Sequence, residues 1–323
     1  MNNYTLDNIQ LLLFDQQVNI RRVIKYALAE IGFRTMHESG SLEEMQTLLR
    51  TLRPDVVILD VDADLEEACA IIENIRHQRL GPDPFMVLIG TTWHPNRDTV
   101  SRVMNSGVDD IAMKPISVEV LSQRVDNLIH HRKRFISTSR YIGPDRRDGA
   151  RANSEQEPDL IAVPNNLRYK AIGDVGAAVN QAAILETMEA MVLQRIQYLT
   201  LEVANLSTTL KHRADLGEDM AQYGDKMGSL RELIVQVTDY ISERRLHGVA
   251  KIAESMKNVM AVLDRTKRPT QRQFEILRLH SLAVNAVLME RDGAAEVVTM
   301  ALEKVATMVE NEDTEDRHGT ASR

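Results

Sequence analysis

Residues 56–60 read Val56-Val57-Ile58-Leu59-Asp60, four apolar residues, three of them β-branched, closed by a carboxylate. A run this short and unbroken fits a strand buried on both faces, as in a parallel sheet. An acid at its C-terminal end stands where open α/β sheets gather their ligands. Other runs end the same way. Leu11-Leu12-Leu13-Phe14 ends in Asp15, Asp110-Ile111-Ala112-Met113 is followed by Lys114-Pro115, and Thr91 and Thr92 follow a run from Phe85 to Ile89. Two acids, an amine and a hydroxyl on one sheet edge make a site for Mg²⁺ and a phosphoryl group.

Between these runs lie segments of helical period, predicted over 19–31, 41–52, 66–78, 97–106 and 117–134. Strand and helix alternating in this way imply βαβ units, with right-handed crossovers that place helices on both faces. Gly32 and Gly107 stand just past two of the helices as stops, and Ser41 with Glu44 forms a capping box. The acid pairs Glu43-Glu44 and Glu66-Glu67 open helices, where the helix dipole accounts for them. Lys114-Pro115 is a candidate cis peptide.

Several local pieces occur in one order: Asn19-Ile20-Arg21-Arg22 opening the first helix, Arg53-Pro54-Asp55 before the central strand, and Ser106-Gly107-Val108-Asp109-Asp110 before the lysine strand. With the strand-end residues they resemble the receiver domain of bacterial two-component response regulators, over residues 9–134. The resemblance implies a doubly wound, five-stranded parallel sheet of flavodoxin-like type. It also implies Asp60 as phosphoacceptor, Asp15 as a Mg²⁺ ligand and Lys114 as the lysine that pairs with the phosphoryl group. The backbone carbonyl of Asp62 would complete the metal site, and Thr91 or Thr92 would supply the switch hydroxyl. Counting back from Gly107 selects Thr92, while the strand pattern selects Thr91. The implied partner is a sensor histidine kinase or a phosphotransfer protein.

The chain departs from that family at several positions, and after the Asp60 strand it reads Val61-Asp62-Ala63-Asp64-Leu65 where Met-Pro-Gly is common. Gln16 stands where receivers carry a second acid, and hard cations prefer carboxylates, so it predicts a weaker Mg²⁺ site. Ile111 stands where the family has an aromatic switch residue. The carboxylates of Asp62 and Asp64 add negative charge beside Asp60.

A length of 323 residues suggests two domains, and a composition 43% hydrophobic and 27% charged supports ordinary cores. The formal charge of −8 gives the whole chain no attraction to nucleic acid or anionic membranes. A single cysteine, Cys69, allows no internal disulfide and is read as a packed residue in a reducing, cytoplasmic setting. The N-terminus lacks the pattern of a signal peptide, and no run reaches the ~20 apolar residues of a membrane span.

Residues 135–166 change character. Tyr141-Ile142-Gly143-Pro144-Asp145-Arg146-Arg147 is turn-rich and basic, and seven basic residues between 132 and 151 face only Asp145 and Asp148. This reads as a mobile linker, with anion docking as its other reading. From residue 167 to 310 the period is helical throughout, predicting an all-α module, followed by a polar tail at 311–323 expected to be disordered. Leu185, Val192, Leu199 and Leu206 recur every seven residues, and Ile196, Val203 and Leu210 fill the paired seam. That spacing makes a long helix with a coiled-coil seam, either between two chains or within one bundle.

Other chemistries are weighed in the helical half. Histidine phosphotransfer needs an exposed histidine in a fitting motif. His212, His247 and His280 lack that motif, and His280 lies beside an apolar face. Residues 269–277 resemble the opening of a DNA-binding output domain, but no recognition helix follows, and 20 Lys+Arg against 23 Asp+Glu over 168–323 leave −3. The expected protein is a non-enzymatic response regulator, phosphorylated on Asp60, whose output is protein contact or dimerisation through the helical module. The alternatives are a phosphorylation-independent pseudo-receiver scaffold, a DNA-binding regulator or a phosphotransfer protein.

Overall fold

The computed structural model describes residues 4–147, 160–218, 220–243, 246–266 and 269–289. By backbone contacts the chain divides into two compact units, residues 1–191 and 192–323.

In the first unit β1 (Gln10–Phe14), β2 (Thr35–Ser39), β3 (Val56–Asp60), β4 (Val87–Thr92) and β5 (Asp110–Met113) form one sheet in the order β2-β1-β3-β4-β5. Every pairing is parallel. Between the strands run α1 (Val18–Ile31), α2 (Leu42–Thr51), α3 (Leu65–Arg76) and α4 (Arg97–Asn105), and α5 (Val118–His130) follows β5. This is the doubly wound, flavodoxin-like sheet expected from the strand runs. Because side chains alternate along a strand, the sheet has two cores. Leu11, Leu13, Val56, Ile58, Val87 and Ile89 pack under α1 and α5. Leu12, Phe14, Val57, Leu59 and Leu88 pack under α2, α3 and α4. The caps read at Ser41 and Gly32 are present, Ser41 Oγ accepting from Glu44 N and Gly32 left-handed at the end of α1, and Ser117 Oγ likewise accepts from Val120 N. The Lys114-Pro115 peptide is cis.

The region expected as a mobile linker holds ordered structure among its described residues, and that expectation is corrected for them. The fifth helix ends at His130, not 134, and the chain turns into a hairpin of β6 (Phe135–Ser137) and β7 (Ile142–Pro144). Ile161 bridges to Phe135, and α6 (Asn166–Ile172) lays Leu167 and Ala171 into the core shared by α1 and α5. Phe135 and Ile142 join Phe85, Ile184, Met188 and Met191 in a further cluster. Glycine makes this packing possible: Gly107 has a left-handed backbone at φ +101°, and a Cβ there would lie 2.4 Å from the Ile142 carbonyl. What the sequence shows as turn residues is therefore a short strand whose backbone approaches closely.

α7 (Gln181–Asp215) begins in the first unit and runs into the second. There α8 (Gly224–Glu243), α9 (His247–Arg265) and α10 (Gln271–Leu288) complete an all-α unit. Ile196, Leu199, Val203 and Leu210 are buried among residues of α8, α9 and α10, so the heptad seam is filled from within this chain. Leu185, the first member of the repeat, is half exposed. The last part of the expected helical region, 290–310, and the tail at 311–323 lie outside the described residues.

Candidate functional site at the C-terminal sheet edge

β1, β3 and β5 each deliver a charged residue to one edge. Lys114 Nζ lies 2.7 Å from Asp15 Oδ2 and 2.7 Å from Asp60 Oδ1, and all three side chains are almost wholly buried. One ammonium thus faces two carboxylates. Asp15 Oδ1 accepts from the Gln17 backbone, and Asp60 Oδ1 accepts from Asp62 N at 3.2 Å. Burial pushes the Asp60 carboxyl above its ordinary value of 3.8; the Lys114 hydrogen bond and charge oppose the rise, and the neighbouring Asp15 adds to it.

The threonines, adjacent in β4, have opposite fates. Thr91 is paired in register with Asp60 and with Ala112, and it falls on the alternation that puts Val87 and Ile89 on the α1/α5 face. Lys114 and Asp60 follow the same alternation. The Thr91 hydroxyl is buried and has no hydrogen-bond partner among the described residues. Thr92 Oγ1 instead donates to Asp62 Oδ1 at 2.6 Å and accepts from His94 N. Asp62 Oδ2 accepts from Trp93 N at 2.6 Å, so the Asp62 side chain ties down the loop after β4. The expectation that both threonines follow the strand is corrected: β4 runs through Thr92, and register separates them.

Gln16 is exposed, and the two buried carboxylates are not joined by a third acid. Among the described residues no group of three or more His, Cys, Asp or Glu side chains is placed to hold a metal. The donor set at this edge is two carboxylates, the Gln16 amide and the Asp62 carbonyl. Trp93, which motif reading did not single out, stands over the site with its ring centroid 6.0 Å from Lys114 Nζ.

The other candidates do not assemble into sites. His280 is fully buried, with Nδ1 2.7 Å from the Ile276 carbonyl and Nε2 3.0 Å from Ser255 Oγ. Burial holds its pKa below 6.5, which suits a packed neutral imidazole and leaves no access for phosphotransfer. His212 is exposed near the end of α7, and Cys69 is buried. Among the described residues no helix is long and apolar enough to cross a membrane.

Residues 11–126 match the model of the response regulator receiver domain. The probable C4-dicarboxylate response regulator DctR of Bacillus subtilis (strain 168) is 23% identical over 196 residues, which cover 60% of this chain and 78% of that protein. A chemotaxis protein CheY homolog of Campylobacter jejuni is 25% identical over 123 residues, 38% of this chain and 92% of the relative. Among solved structures, a response regulator from Thermotoga maritima aligns at TM-score 0.33 and 23% identity, covering 37% of this chain and 96% of that one. The family match ends at residue 126 and leaves the helical unit unassigned.

Proposed function

We propose, from the premise that residues 11–126 are a response regulator receiver domain, that this chain accepts a phosphoryl group on Asp60 and relays the change through its helical unit. The donor is a sensor histidine kinase or a phosphotransfer protein, the partners typical of receivers. The supporting observation is the meeting of Asp15, Asp60 and Lys114 at one buried point, with an unpartnered Thr91 hydroxyl on the same face.

Asp60 Oδ1 is occupied by Lys114 and the Asp62 amide, which leaves Oδ2 as the nucleophile. Oδ2 bonds to phosphorus, the phosphorus–nitrogen bond of the donor histidine breaks, and its electron pair stays on the imidazole. Lys114 moves its hydrogen bond to a phosphoryl oxygen, and Thr91 turns its hydroxyl to another. Mg²⁺ suits the charge here, because two carboxylates share a single ammonium and leave an excess negative charge. Asp15, Asp60, the Gln16 amide oxygen and the Asp62 carbonyl would hold it. When bound, the ion neutralises charge on the phosphoryl oxygens. Thr91 is the switch hydroxyl in this reading, and Thr92 fixes the loop through Asp62.

The output is a shift in population: capture of Thr91 biases the sheet edge, and the helical unit reads the bias by binding a protein partner or a second copy. Gln16 favours a second reading, a receiver fold that docks its partner without phosphorylation. Light scattering on the whole chain, with and without beryllofluoride plus Mg²⁺, separates the two. A change of mass or shape that Asp60→Ala abolishes supports the relay. A chain that ignores beryllofluoride even at high Mg²⁺ is the scaffold.

A further inference from the structure

A cleft of about 570 Å³ lies in the first unit, away from Asp60, between the C-terminal end of α5, the segment after it, and the chain around α6. Its walls carry four Lys and Arg side chains (Arg132, Lys133, Arg134 and Arg168) against one acid, Asp174. In a chain of net charge −8 this local excess of cations runs against the whole-protein balance. A concave surface of one sign concentrates ions of the other.

The walls are held in place before any ligand arrives. Arg132 is fixed by Asp109, through Nε at 2.8 Å and Nη2 at 3.1 Å, and it donates to the Pro164 carbonyl. Asn165 donates to the Leu128 carbonyl at 2.9 Å and accepts from Arg168 N. Arg168 is paired with Asp174 at 2.6 Å and also donates to the Ile129 carbonyl. Lys133 and Arg134 are different: both are exposed, and neither forms an ion pair within hydrogen-bond distance among the described residues. Two cations without a close ion-pair partner, Lys133 with only the more distant Asp145 carboxylate acting on it, thus stand on a rigid frame, and a rigid frame lowers the ordering cost of binding.

We propose that this cleft binds a small organic diphosphate of the nucleoside diphosphate class, with Lys133 and Arg134 on the phosphates. Guanidinium and ammonium groups together are the usual recognition set for phosphate oxygens. The volume lies in the range of small-molecule sites, and a bare phosphate would leave most of it unfilled. Ile129, Val163 and Ala177 supply an apolar wall for the organic part. The site is independent of phosphorylation at Asp60.

Isothermal titration of the whole chain with ADP, and separately with inorganic pyrophosphate, tests this in buffer without Mg²⁺. The expected result is one saturable site per chain with a dissociation constant of about 1 mM or lower for ADP. The double substitution Lys133→Gln with Arg134→Gln is expected to weaken it at least tenfold. Ala162→Trp, which fills the cleft without changing its charge, should do the same, and Asp60→Ala should leave it unchanged. ADP binding tighter than pyrophosphate supports contact with the apolar wall, and equal binding of the two overturns the organic part of the assignment. Absence of saturable heat with either probe at about 10 mM overturns the site. So does binding that survives both cleft variants, or that disappears in Asp60→Ala.

Discussion

The first unit contains two buried ion clusters at opposite ends of the same sheet, and their stoichiometries are inverted. At the C-terminal edge one ammonium, Lys114, faces two carboxylates, Asp15 and Asp60. At the N-terminal edge one carboxylate, Asp109, faces two guanidiniums, Arg76 and Arg132. The second cluster is saturated with hydrogen bonds. Arg76 donates to the Gly107, Pro84 and Met86 carbonyls as well as to Asp109, Leu88 N donates to Asp109 Oδ2, and both guanidiniums lie over the Phe135 ring, 5.0 and 5.2 Å from its centroid. The first cluster leaves Thr91 unpartnered and holds a carboxyl raised above its ordinary value. Burial of charge alone does not mark function. The incompletely satisfied cluster is the one the proposed phosphoryl transfer would use, and the satisfied one fastens the hairpin to the sheet.

The same substitution at the two ends should therefore give opposite results. Asp109→Asn leaves two buried guanidiniums with a neutral neighbour, and removal of one partner from a buried ion pair costs ~3–5 kcal/mol. Urea unfolding of that variant should show such a loss, along with greater protease sensitivity of the hairpin. Asp60→Asn leaves a one-to-one Asp15–Lys114 pair, so its stability should stay within ~1 kcal/mol of the parent, or rise. It should nevertheless lose all phosphoryl acceptance. Equal losses of stability at the two positions would end the distinction.

The ease of reading these two ends from sequence also differed, for physical reasons. Val56 to Asp60 is legible because a strand buried on both faces is apolar throughout and then stops abruptly at a charge. Arg76 is illegible: it looks like an ordinary basic residue in the last turn of α3, and it is covered by Phe135, with β7 packed against α3, both far along the chain. The hairpin itself was concealed, since three-residue strands containing Gly143 and Pro144 carry the composition of a turn. Sequence left two adjacent residues for the proposed switch hydroxyl, and register, which puts neighbours in a strand on opposite sides, is what favours Thr91 in that proposal. The seven-residue repeat of α7 marks a buried seam from Val192 onward, with Leu185 left half exposed, but carries no information about which chain fills it.

Register gives the next test, on a smaller scale. Thr91→Val removes a buried hydroxyl that makes no hydrogen bond, so stability should hold or increase by up to ~1 kcal/mol. The structural response to beryllofluoride should vanish, because the hydroxyl that follows the phosphoryl group is gone. Thr92→Val breaks the bond to Asp62 and should cost ~1 kcal/mol while leaving that response in place. Thermal melts of both variants, with and without beryllofluoride, check the pair, and exchanged phenotypes would return the switch role to Thr92.

The finest distinction is in the pH dependence, where the two aspartates should act with opposite sign. Burial raises Asp60, and Lys114 only partly offsets it, so on acidification the folded state takes up its proton before the unfolded chain does. The stability Asp60 contributes is complete below the ordinary value of 3.8 and is lost as pH rises through the higher folded value. Burial also pushes Asp109 upward, but the charges of Arg132 and Arg76 and their hydrogen bonds outweigh it and hold the carboxyl below 3.8. Its contribution is present above 3.8 and is lost as pH falls through the lower folded value. Urea midpoints measured from acid to neutral pH should therefore show Asp60→Asn gaining on the parent as pH rises above the ordinary carboxylate range. Below that range the two curves should converge, because Asp60 is then neutral in both states of the parent. A difference between the curves that is flat with pH would mean that Lys114 fully compensates Asp60, and that the excess negative charge assigned to this edge is not there.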